Sequence, residues 1–291
     1  MTGVSEPKPS YLRALLVLGR VSNLPTVWSN CLAGWWLGRG GEYLTLFQLM
    51  VGASALYIGG MYLNDACDAD FDRQHRQERP IPRGVISLAQ VWILGTMWLL
   101  LGIGLLATHS GKSAILTLLL VGAILLYDAV HKLVAFSPVL MALCRFLLFL
   151  LAASFGQFEI DGLVIWSGLV LAGYIVGLSY IARRESTQGV IGFWPLLPMA
   201  APLVLAYIVN AGPHRDNARL LSLVLILWVL KSLKPLWRAA HRNIGQVVSH
   251  LLAGICLVDL LAVADVPREI GLLFLGFFGL SLLFQRYIPA T

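Results

Sequence analysis

Asn64-Asp65-Ala66-Cys67-Asp68-Ala69-Asp70-Phe71-Asp72 sets a cluster of carboxylates at the end of a long apolar run. On a helix turning about 100° per residue, Asp65, Asp68 and Asp72 fall within an arc of roughly 60°, while Asp70 points to the far side. Three carboxylates facing one point repel one another. The usual relief is a bound divalent cation, most simply Mg²⁺, which takes oxygen ligands and commonly shares them with a substrate's phosphates. The plainer reading is a solvated loop start neutralised by Arg73, Arg76 and Arg79. Asp70 reads as a solvated acid or an arginine partner.

The rest of the chain says what surrounds that cluster. Composition is 58% hydrophobic and 12% charged, with a mean hydropathy of +0.78, whereas soluble domains carry about a quarter charged residues. Ten apolar runs, near residues 22–38, 43–64, 87–107, 113–130, 136–155, 162–182, 190–210, 218–236, 245–263 and 269–287, are long enough to cross a ~30 Å hydrocarbon core. No polar domain separates them. The expectation is an all-α, polytopic transmembrane bundle of nine or ten spans forming a single domain over residues 1–291. Met1 to Ser10 reads as a short polar tail without a cleavable signal peptide.

Cys31, Cys67, Cys144 and Cys256 lack CxxC spacing, which argues against a disulfide framework or a zinc site. The net charge of +6 has a simpler source than nucleic acid, because basic residues in the loops of a membrane protein fix its orientation. A cytoplasmic N-terminus puts Arg39, Lys112, Arg215, Arg219 and Arg268 outside, Arg145 within a span, and the other 15 of the 21 Lys and Arg residues inside. The acidic cluster, Tyr127–Lys132 and Arg183–Glu185 then open on one cytoplasmic face, around a cavity. An inner membrane is the expected location. The loop from Asp65 to Ser87 also carries Arg79-Pro80-Ile81-Pro82-Arg83-Gly84, and prolines make such a loop stiff enough to hold its arginines.

In these motifs the chain resembles the UbiA superfamily of intramembrane prenyltransferases. Asn64, Asp65, Asp68 and Asp72 match the NDxxDxxxD signature, and residues 79–84 look like the RPxxxG-type continuation. Arg20-Val21-Ser22-Asn23 is similar to the N-terminal Arg-x-x-Asn element. Tyr127-Asp128-Ala129-Val130-His131-Lys132, followed by Ser137-Pro138 and Cys144-Arg145, looks like the tyrosine-to-lysine stretch of the family. Together with Tyr180-Ile181-Ala182-Arg183-Arg184-Glu185, it looks closest to an EboC-like branch.

The resemblance implies transfer of a prenyl group from a prenyl diphosphate to an aromatic or lipidic acceptor within the membrane, with Mg²⁺ as cofactor. Asp65, Asp68 and Asp72 would be the metal-binding, catalytic acids. Asn23 and Asn64 would contact substrate, and Arg79, Arg83, Lys132 and Arg145 would bind phosphate oxygens, with Tyr127 beside the allylic group. Asn23 reads equally as a helix cap. The second acidic motif of the family is degraded here, leaving Glu185 alone; Arg183 and Arg184 would supply charge in place of a second cation. Two other readings fit the same residues: an intramembrane terpene cyclase, and a transporter or non-catalytic prenyl-diphosphate binder. Asp259, inside a span, would hydrogen-bond a neighbouring helix or line a cavity.

Overall fold

The computed structural model describes residues 10–158, 160–187, 193–209, 214–236 and 243–290, with residues 184–187 and 214 described by backbone alone. All regular structure among them is helical. After α1 (Tyr11–Leu18) and a short 3₁₀ turn (Val21–Asn23) come α2 (Leu24–Leu37), α3 (Tyr43–Cys67) and the short α4 (Ala69–His75). Then follow α5 (Leu88–Ala107), α6 (Gly111–Val130), α7 (Ser137–Ala153) and α8 (Gly162–Thr187). The remainder comprises α9 (Leu196–Met199), α10 (Ala201–Val209), α11 (His214–Leu233), α12 (Ile244–Ala253), α13 (Ile255–Ala262) and α14 (Arg268–Phe284).

Each expected span coincides with a helix or a pair of helices, although residues 190–192 and 210 of the seventh lie outside the described residues. Five stretches among the described residues are long and apolar enough for a full crossing: α3, α5, α6, most of α8, and α12 with α13. The outward faces are apolar as well. Trp92, Ile93, Met97 and Leu100 project from α5, and Leu220, Leu223, Leu227 and Leu230 from α11. Water would penalise such faces and lipid does not, so the chain is an integral membrane protein.

Small residues decide which helices meet. A Cβ on Gly59 of α3 would lie 2.9 Å from the Gly95 carbonyl oxygen of α5, so only glycine permits this approach, and α3 and α5 pack along much of their length. A Cβ on Gly34 of α2 would lie 2.6 Å from the Phe149 carbonyl oxygen of α7. This second contact brings α2 and α7 close enough for polar side chains to reach across one turn nearer the site.

Two expected spans are interrupted. The seventh breaks at Ala200, where Pro202 cannot donate a backbone hydrogen bond into the preceding turn. The ninth breaks at Gly254, against which the Tyr174 hydroxyl of α8 packs while donating to the Leu251 carbonyl at 2.9 Å. The break leaves α13 as a separate half-helix carrying Asp259.

Candidate active site

The C-terminal ends of α3, α6 and α8 meet the N-terminal ends of α2 and α7 at one end of the bundle, and the polar motifs gather there. The helical face expected for the acids is modified. α3 ends at Cys67, Asp68 forms the junction, and α4 starts at Ala69. Asp65 and Asp72 are buried, Asp68 is half-buried, and Asp70 is exposed and paired with Arg73.

Each inward acid meets cations. The Asp65 carboxylate accepts from Arg20 Nη2 at 3.3 Å and from Arg79 Nη1 at 3.2 Å. Arg20 arrives there because α1 docks on α3: the Tyr62 hydroxyl donates to the Leu15 carbonyl at 3.1 Å, and Leu18, Tyr62, Ala66, Ile86 and Val91 form a small core beneath the motif. Its backbone takes the left-handed conformation, with φ of 41°, a local cost that marks a position fixed by its surroundings. Burial works against the Arg20 charge, and Asp65, with smaller contributions from Tyr57, Tyr127 and Asp68, more than restores it.

Asp68 accepts from Lys132 Nζ at 2.7 Å and faces His131 Nε2 at 3.4 Å. Burial disfavours its ionised form, but the hydrogen bonds from His131 and Lys132 outweigh it and hold the carboxyl below the usual range. His131 is lowered by burial and raised more by Asp68. Lys132 Nζ also sits 3.9 Å over the Phe71 ring, and Tyr127 stacks on His131 with centroids 5.0 Å apart. Asp72 differs, since burial pushes its carboxyl above the ordinary value and Arg79 offsets this only in part.

Asn64 ties the helices together. Its Oδ1 accepts from Arg20 at 3.4 Å and its Nδ2 donates to Asp128 Oδ1 at 3.0 Å, while Asp128 Oδ2 is buried without a partner. Arg83 is half-buried on the same stiff loop, which turns through Gly84 at φ of 66°. Asn23 is buried and donates to the Tyr57 hydroxyl at 3.3 Å and the Ala290 carbonyl at 2.9 Å.

Two expected residues stand apart from the acids. Arg145 lies on α7 and contacts Asn30 and Thr26 of α2. Arg183 Nη1 donates to the carbonyls of Val134 and Ala135, at 3.0 and 2.8 Å, holding the loop between α6 and α7. The side chains of Arg184 and Glu185 lie outside the described residues. Arg20, Asp128 and His131 were not among the expected ligands. Arg20 and Asp128 stood inside quoted motifs and His131 adjoined Lys132, but only the packing shows which way they face.

Among the described residues, no three His, Cys, Asp or Glu side chains converge tightly enough to enclose a metal by themselves. The donor set nonetheless suits Mg²⁺, which is usually held by one or two carboxylates plus waters and substrate phosphates, not by an all-protein cage. Hard oxygen donors are present on Asp65, Asp68 and Asp72. The nearby arginines and lysine would meet phosphate.

A helical membrane bundle with an acid-and-arginine mouth is thus defined by both fold and site. Residues 23–265 match the model of the UbiA prenyltransferase family, and the chain belongs to that family. Its fold resembles the apo structure of a UbiA homologue from Aeropyrum pernix K1, with a TM-score of 0.65 and 16% identity over 86% of this chain and 98% of that one. A UbiA homologue from Archaeoglobus fulgidus bound to GPP and Mg²⁺ matches with a TM-score of 0.55 and 17% identity, covering 94% of this chain and 97% of that one. A digeranylgeranylglyceryl phosphate synthase matches with a TM-score of 0.59 and 17% identity, over 94% of this chain and 99% of the other. No significant match is found among curated protein sequences.

Proposed function

We propose that this chain transfers a prenyl group from a prenyl diphosphate to an aromatic or lipidic acceptor, with Mg²⁺ held by Asp65, Asp68 and Asp72. The observation that carries the reading is the set of direct, part-buried pairs that Asp65 makes with Arg20 and Arg79 and Asp68 makes with Lys132. A diphosphate entering this mouth finds cations already in place. With Mg²⁺ on the acids, Arg20, Arg79 and Lys132 would be free to exchange carboxylate for phosphate oxygens, with Arg83 on the same loop and Asn64 holding the helices in register. When bound, Mg²⁺ supplies Lewis-acid stabilisation of the departing diphosphate. The fixed cations add to it most where water is excluded. Tyr127 and the apolar helix walls shield the allylic cation from water.

Arg183 acts in this reading by pinning the Val134–Ser137 loop that carries α7 into the site. By resemblance alone, Arg184 supplies positive charge in place of a second cation, and Glu185 either completes a weakened metal site or pairs with an arginine. The motif variants at 127–132 and 180–185 support a place near the EboC-like branch. The basic-residue count supports nine or ten spans with a cytoplasmic N-terminus in an inner membrane.

The test is pyrophosphate release by purified protein in nanodiscs, with geranyl, farnesyl or geranylgeranyl diphosphate, Mg²⁺ and a membrane extract as acceptor source. Release by the wild-type chain that is lost in Asp65→Ala supports transfer, and labelled-product analysis separates transfer from cyclisation. Tight Mg²⁺-dependent binding without release would make the protein a carrier.

A further inference from the structure

A second polar region lies deeper in the membrane. Tyr57 precedes Asp65 by two turns of α3, about 12 Å at 1.5 Å per residue, and Arg145 lies equally far into α7. Arg145 Nη1 donates to Asn30 Oδ1 at 2.7 Å, Nη2 donates to Thr26 Oγ1 at 3.1 Å, and the guanidinium sits 5.8 Å over the Tyr57 ring. The amide of Asn30 passes the connection on, its Nδ2 donating to Asp259 Oδ2 at 2.7 Å. Ser29 Oγ donates to the same oxygen at 2.5 Å. Asp259 is 1% exposed and Asn30 fully buried, whereas Arg145 is only half-buried. Asp259 Oδ1 and Ser167 Oγ, both without partners, border a small cavity between α8, α10 and α13.

We propose that Asp259, acting through Asn30, positions Arg145 as the anchor for an oxyanion carried by the second substrate, the acceptor of the prenyl group. This rests on the prenyl-transfer reading of the mouth. A cation and an anion in a membrane interior are each costly alone, so their joint presence calls for pairing. A purely structural need would be met by direct contact. Here an amide stands between them, and only one orientation of it serves: oxygen to the guanidinium, nitrogen to the carboxylate. The interposed amide keeps the counter-charge nearby while the two contacts to α2 use only two of the five guanidinium N–H donors. The half-buried guanidinium keeps its other donors about two turns of helix below Asp65, too deep for the diphosphate bound by Asp65 and Arg79. An oxygen anion on the acceptor, carboxylate or phosphate, has the matching chemistry. Asp259 is a positioning residue, because it touches Asn30 and not the ligand.

The experiment reads binding to the full chain in nanodiscs by thermal-unfolding shift. The probes are benzoate and decyl phosphate, against the neutral benzyl alcohol and decanol. The wild-type chain is expected to bind at least one anion and neither neutral analogue. Arg145→Ala should abolish binding, Asp259→Asn should weaken it about tenfold, and Asp259→Asn should add nothing in an Arg145→Ala background. Asn30→Asp keeps the size of the bridge but pairs with Arg145 directly, so it should weaken binding similarly even if Asp259→Asn fails to fold.

With the mouth occupied by Mg²⁺ and inorganic pyrophosphate, anion binding that survives Arg145→Ala overturns the anchor. So does a wild-type chain that binds neither anion. Binding that needs Arg145 but is unchanged in Asp259→Asn, or in Asn30→Asp, overturns the positioning role. Pyrophosphate release is followed in parallel. If the wild-type chain releases none, the transfer reading fails and with it the assignment of the anion to an acceptor, while the binding series still decides the anchor.

Discussion

At the mouth Asp65 touches two arginines directly, and about two turns deeper Asp259 reaches its arginine only through an amide. The mouth pairs join partly accessible cations to acids that crowd one another, so they can be exchanged when a better anion or cation arrives. The deep network is enclosed on its acidic side, and neutral groups hold one oxygen of Asp259 and two donors of Arg145, which fixes it in place. The first arrangement suits a ligand that enters and leaves with its charge. The second suits a guanidinium that must hold its direction inside lipid.

The largest expected effect tests the mouth. Asp65→Ala should lower pyrophosphate release by about a thousandfold or more, the loss typical when a group supporting charge stabilisation is removed. The deep network is tested by Asp259→Leu, which strands Arg145 and should lose about 3 kcal/mol in unfolding experiments. Arg79→Ala should cost about 10- to 100-fold in kcat/KM for the prenyl diphosphate, equivalent to roughly 1.4–2.8 kcal/mol of charge-assisted bonding. Gly34→Val should force α2 and α7 apart and cost about 2 kcal/mol of stability, seen as a lowered unfolding temperature in detergent. Arg73→Ala removes only an exposed pair with Asp70, and release should stay within about twofold of wild type.

Much of the mouth was legible because its chemistry is written in residue types at fixed spacing. Asp65, Asp68 and Asp72 mark the end of α3, and Lys132 is found at Asp68. Helices were legible because apolar runs of this length have few alternatives in a membrane. Their interruptions were not. The break at Gly254 depends on Tyr174 approaching from another helix, and Asp68 falls at a junction that a uniform 100° rotation cannot show. The partnership of Asn30 with Asp259 joins residues from opposite ends of the sequence, and neither belongs to a motif. Arg20 was visible as part of an element, but its left-handed backbone and its contact with Asp65 arise only once α1 has docked.

The order in which the chain is made gives the deep network a further meaning. Thr26 and Asn30 precede Arg145 in synthesis, so the guanidinium finds neutral hydrogen-bond partners as soon as α7 reaches α2. Its counter-charge comes much later, on a half-helix too short to cross the bilayer unaided. Until α13 is seated, α7 holds an uncompensated cation in the membrane. Arrival of Asp259 therefore balances the charge before α14 packs against α2, and a chain interrupted before that point would present the cell's quality-control machinery with an unbalanced charge.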